Sequence, residues 1–214
     1  MQALRIDFTE RDTCYFCHRS LKTKIAIIIQ TEQGEISSGP ICAAKHIHSI
    51  DMRKLPNLTR AVNLTDDIKS DSESKKNIIF DKVKGDSKAL EYLFLRCDSL
   101  NDFEGICYVP LDNIYEKYKT GCITDDDIAH INNIMIKNAK NYQHLSYKNL
   151  MACYAMKHIL SMWIAKQSNN KFVLGIYDFL KTRYYLTAKQ VDVVNCWLAQ
   201  KKMPLVNHKW FFKS

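Results

Sequence analysis

A chain of 214 residues that is 46% hydrophobic and 25% charged is long enough to bury one ordinary core beside a small appended unit. No run approaches 18 consecutive apolar residues, and residues 1–7 lack the apolar stretch of a secretory signal, so neither a membrane span nor export is expected. The net charge of +8 is uneven: residues 1–60 carry +3, residues 61–140 carry −4 and residues 141–214 carry +9. Such segregation points to a polyanionic partner for the C-terminal third.

In chain order, the first informative stretch is residues 14–46. Cys14 and Cys17 form a C-x2-C pair, and a strand-like run over 22–30 follows. Gln33-Gly34 turns the chain, and residues 35–38 return as a second strand. Gly39-Pro40 then opens a helix that carries Cys42 and His46 at i and i+4, on one face. Three thiolates and one imidazole, all from the protein, are the donor set of a closed structural zinc site, so one zinc is expected on Cys14, Cys17, Cys42 and His46. His48 competes with His46 for the fourth position, and His18 lies directly after the C-x2-C pair. With three thiols assigned to metal, the other five cysteines form an odd, scattered set, which suits reduced thiols in a cytoplasmic protein. Cys14-Tyr15-Phe16-Cys17-His18 also matches the c-type haem attachment signal, but that chemistry belongs to exported proteins.

The order of C-x2-C, β-hairpin and helix start resembles the treble-clef zinc finger. The phrase Ser38-Gly39-Pro40-Ile41-Cys42-Ala43-Ala44-Lys45-His46 is similar to the segment that opens the helix in small treble-clef proteins of phages and mobile elements. The resemblance covers about the first 50 residues. It implies a metal-stabilised β-hairpin and helix, a framework that also hosts nucleases.

Beyond the finger, residues 47–64 are expected to continue as helix, interrupted at Pro56. Residues 65–77 are polar and lack an apolar period, and Ile78-Ile79-Phe80 reads as a strand or an anchor. From residue 86 the pattern is helical and repeats. Residues 111–120 match residues 173–182 in apolar spacing at i, i+3, i+4 and i+7. Thr124 and Thr187 then each open a second helix with an acceptor three residues on, Asp127 and Gln190. Further helices over 88–97 and 146–167 precede the two copies.

The expected architecture is mainly α: a zinc-binding domain over 1–64, a polar linker over 65–86, and a helical domain over 87–214. Within that domain, 111–139 and 173–202 are related copies, each part of a three-helix unit.

Catalytic signals are weak. Asp125, Asp126 and Asp127 in a first helical turn are accounted for by the helix dipole. His130, His144, His158 and His208 have no Ser, Cys or carboxylate partner at a catalytic spacing. A nuclease on the finger would need a free His base and metal ligands, whereas His46 is assigned to structural zinc. Lys157, Lys166, Lys171, Lys181, Arg183, Lys189, Lys201, Lys202 and Lys209 are the candidate phosphate contacts, with Lys148 also in that third. Tyr184, Tyr185, Trp210 and Phe211 are candidate base-stacking groups beside them. The expected function is non-enzymatic, sequence-independent binding of nucleic acid; the alternative is docking onto a host or defence protein as a phage or mobile-element accessory factor.

Overall fold

The structure is a computed structural model that describes residues 1–47, 51–52, 54–63, 85–166 and 170–212. It is mainly helical, with a small antiparallel sheet at the N-terminus. Strands β1 (Gln2–Phe8), β2 (Ile25–Thr31) and β3 (Gly34–Ser38) lie in the order β1-β2-β3. The expected hairpin is therefore β2–β3, and the first residues add a third strand that the sequence reading did not include. Its signal is the alternation Leu4-Arg5-Ile6-Asp7-Phe8, which places Ile6 with Ile27, Ile29 and Ile36 in a small apolar cluster. Gly34 closes the β2–β3 turn at a φ of 113°, where a side chain is seldom tolerated. Helix α1 (Pro40–His46) begins as expected, with Gly39 at the N-cap and Pro40 in its first turn, and buries Ala43 against the sheet.

The helix expected over 47–64 does not form among the described residues. Helix α1 ends at His46, residues 54–61 run as turns and a bridge, and Val62–Asn63 is a short strand, β4. The Asn57 side chain accepts from the Thr59 backbone N–H at 2.9 Å and from the Thr59 hydroxyl at 2.8 Å. An Asn that captures nearby backbone in this way, directly after a proline, offers the chain an alternative to helix. Ile6 donates to the Pro56 carbonyl and accepts from Leu58 N–H, so this segment runs along the outer edge of β1. Strand β4 pairs with Leu205–Val206, β5, near the other end of the chain. Most of the 65–86 linker, including Ile78-Ile79-Phe80, lies outside the described residues.

The helical body comprises α2 (Gly85–Phe94), which runs into a π-helical turn over Leu95–Ser99, then α3 (Val109–Lys119), α4 (Asp125–Asn141), α5 (Tyr147–Lys166), α6 (Lys171–Arg183) and α7 (Ala188–Gln200). Helix α5 is largely apolar and forms the centre of the core, from Leu150 to Trp163. Trp163 stacks on Trp197 of α7 with ring centroids 4.4 Å apart. Asn149, fully buried, donates to the carbonyls of His144 and Tyr184 and accepts from Phe212 N–H, so one side chain ties three separate loops together.

Both expected caps form. The Thr124 hydroxyl accepts from Asp127 N–H and the Thr187 hydroxyl from Gln190 N–H, each with the reciprocal bond of a capping box. Asp127 also takes Lys117 Nζ at 2.8 Å; that ammonium, with the Thr124 donors, lowers the carboxyl to about 2. The pairs α3–α4 and α6–α7 thus share a helix, a turn and a capped helix. They differ in their surroundings: α2, ahead of the first pair, packs mainly on α4, whereas α5, ahead of the second, packs mainly on α6. Thr187→Ala is expected to cost about 0.5–2 kcal/mol by removing one cap, and urea denaturation checks it. A loss below ~0.3 kcal/mol would mean that the Thr187 cap contributes nothing net.

Sheet and helices are joined by polar contacts across their boundary. The Tyr154 hydroxyl of α5 donates to buried Asp7 at 2.8 Å, and Arg5 Nε meets the same carboxylate at 2.8 Å. Phe8 stacks on His158 with centroids 4.6 Å apart. Burial, with the Lys24 ammonium as a smaller cause, lowers His158 to about 4, so its ring is neutral at ordinary pH. A second joint centres on Glu91 of α2, whose buried carboxylate accepts from Asn57 N–H, Arg60, the Ser87 hydroxyl and the Tyr147 hydroxyl. Leu58 and Ala61 complete the joint by packing in the main core.

Candidate metal centre

The connection between β1 and β2 folds back on itself around Cys14. Thr13 and Ser20 form a bridge, Cys14 N–H donates to the Arg19 carbonyl at 2.9 Å, and His18 N–H donates to the Cys14 carbonyl at 2.9 Å. His18 takes a φ of 55°, the left-handed conformation that reverses the chain. Tyr15 N–H donates to the Ser37 carbonyl, which sets the loop against β3. Cys42 enters from α1, placed by the Gly39-Pro40 start of that helix.

The sulfurs of Cys14, Cys17 and Cys42 all lie within 4.8 Å of one another. An ion with metal–sulfur bonds of ~2.3 Å in a tetrahedron sets its thiolates about 3.8 Å apart, so the triangle has the size for a single metal ion. The surrounding donors fit a thiolate. Cys14 Sγ accepts from Gly39 N–H at 3.4 Å and lies 3.6 Å from the Ser38 hydroxyl. Burial raises the Cys14 thiol, but the N–H groups of Gly39, Cys17 and Phe16 and the Ser38 hydroxyl outweigh it and lower it to about 6. Cys42 is pushed up to about 11, first by its hydrogen bond with Cys17 and then by burial. Three thiols crowded together without a cation resist a second ionisation, and a bound divalent ion would relieve that repulsion.

The structure brings together three of the four expected ligands. His46 is on the last turn of α1, exposed, with its ring stacked on Phe16 at 4.0 Å and 10°. It does not belong to the three-thiol group. His48 lies outside the described residues. Ser38 and Gly39, expected from the sequence as a strand end and a helix start, also support Cys14.

The candidate phosphate contacts divide into two sets. Lys157 meets Asp102 at 2.6 Å and the Ser99 carbonyl at 2.7 Å, and Lys181 meets the same Asp102 at 3.1 Å. These two clamp the loop before α3 to α5 and α6. Lys166, Lys171, Arg183, Lys189, Lys201, Lys202 and Lys209 are exposed and form no ion pair among the described residues. The expected stacking aromatics go inward: Tyr184 and Phe211 are buried in the core, and Tyr185 and Trp210 pack against it. Their correspondence with the basic stretch reflects the need of short C-terminal helices for large apolar side chains.

No protein-family model, curated protein or solved structure matches the chain. Among the described residues, no helix is long and apolar enough to cross a membrane.

Proposed function

We propose that the chain is a non-enzymatic, zinc-stabilised binding protein whose exposed basic C-terminal helices contact nucleic-acid phosphates. The observation that carries this reading is the set of exposed cations Lys166, Lys171, Arg183, Lys189, Lys201, Lys202 and Lys209, which form no ion pair among the described residues, in a third of the chain with only two acidic residues, Asp178 and Asp192. Within this reading zinc is held by Cys14, Cys17 and Cys42 in a treble-clef-like finger, with His46 or His48 completing the tetrahedron. Its role is to hold the sheet, and through Asp7 and Phe8 the outer face of α5.

Phosphate contacts release counterions, so log affinity should fall linearly with log salt, at roughly 0.9 per phosphate neutralised on duplex DNA. Lys201→Ala with Lys202→Ala is expected to reduce that slope by up to about 2 and to weaken all sequences alike. Lys157→Ala should leave the slope unchanged, because that ammonium is engaged with Asp102. A filter-binding titration at low salt that shows no affinity for single- or double-stranded nucleic acid overturns the reading and leaves docking onto another protein in its place.

A further inference from the structure

A cleft of about 610 Å³ opens between the sheet and the end of α3. Its floor is a cross-strand row, Gln2 opposite Gln30 and Gln30 opposite Glu35, beside Arg5. Its wall is aromatic. Phe94 stands edge-on to Tyr115 and Tyr118, at 6.0 and 5.1 Å, and the two tyrosine rings are parallel to within 5°.

Three observations point to the same ligand chemistry. The aromatic faces already hold two of the chain's own cations: Arg5 lies over Phe94 at 5.7 Å and Lys119 over Tyr115 at 5.2 Å. Ring faces that gather cations at this range supply the attraction that recognises organic ammonium groups. Of the four charged residues that line the cleft, Arg5 is paired with Glu35 and Lys119 with the neighbouring Glu116, which leaves Asp98 as the lining charge without an ion-pair partner among the described residues. Polar capacity is also unspent. The hydroxyls of Tyr115 and Tyr118 and the carboxylate of Asp98 have no hydrogen-bond partner among the described residues, although all three residues line the cleft. Burial, followed by the Asp98 charge, pushes the Tyr115 phenol up to about 12, so its oxygen remains a neutral hydroxyl.

We infer that this cleft is a binding site for a small linear polyamine. Its ammonium groups are taken by Asp98 and the phenol oxygens, and its methylene segments lie along the tyrosine rings. The volume falls within the range of small-molecule sites. The lining comes from the sheet, α2 with its π-helical turn, and the end of α3, so the cleft is distinct from the basic C-terminal surface.

Titration of the full chain with spermidine at low salt, followed by calorimetry and amide NMR shifts, tests the site. The expected result is saturable binding of one spermidine, with shifts confined to the residues that line the cleft, Asp98 and Tyr118 among them. Asp98→Asn is expected to weaken it about tenfold. Tyr118→Ala should do the same, and Tyr118→Phe, which keeps the ring, should weaken it less. Asp126→Asn, an exposed acid at the start of α4, should leave it unchanged. Absence of saturation at millimolar spermidine overturns the inference, as does equal loss in Asp98→Asn and Asp126→Asn. A tri-lysine peptide that binds more tightly than spermidine also overturns it, by assigning the cleft to lysine side chains of another protein.

Discussion

Purified protein is expected to contain one zinc per chain, and Cys17→Ser is expected to lose it together with the fold of the N-terminal sheet. Structural zinc contributes on the order of 10 kcal/mol in small fingers, comparable to the whole transfer contribution of the apolar cluster of six buried residues around Ile29. The loss should spread beyond the finger, since Asp7 and Phe8 of β1 pack on Tyr154 and His158 of α5. Elemental analysis and far-UV circular dichroism before and after chelation are the measurements. A chain that folds without zinc, or a Cys42→Ser variant that retains a full complement, refutes the assignment. The fourth ligand is separable by the same assay. His46→Phe preserves the stack on Phe16 while removing the nitrogens, so zinc loss in that variant assigns His46, and retention with loss in His48→Ala assigns His48.

The second large effect is expected at Glu91. Glu91→Ala removes the acceptor shared by Arg60, Ser87, Tyr147 and Asn57 N–H, and leaves these donors facing an apolar void. Breaking a buried ion pair by deleting one partner costs about 3–5 kcal/mol. For a chain of this length that corresponds to a fall in Tm on the order of 10 °C. Glu91→Gln, which keeps the shape and part of the acceptor capacity, should cost less. Thermal denaturation of both variants checks this, and a loss in Glu91→Ala below ~1 kcal/mol would show that the joint is not a stabilising one.

Residues 14–46 and the helix pairs were legible because their signals are local. The C-x2-C spacing, the Gly39-Pro40 helix start and the Thr124 and Thr187 caps each act within a few residues, and the structure contains each of them. The third strand was missed because a five-residue alternation says little until β2 is present to pair with it. The segment over 47–64 was misread as helix because its conformation depends on partners far along the chain: β1, Glu91 and β5. The basic stretch was read correctly as charge, but not as geometry, since Asp102 engages Lys157 and Lys181 from a loop more than fifty residues earlier.

By itself the sequence determined a mainly helical chain with an N-terminal thiol centre, its caps and turns, and the sign of its C-terminal surface. These follow from period, spacing and composition, which neighbouring residues impose on one another. Only the tertiary structure decided that three thiols meet while His46 lies on Phe16, that α5 becomes the buried axis, and that an aromatic cleft opens between sheet and helices. Each of those depends on pairs of residues distant in sequence, whose contact free energies exist only once the chain has closed around them.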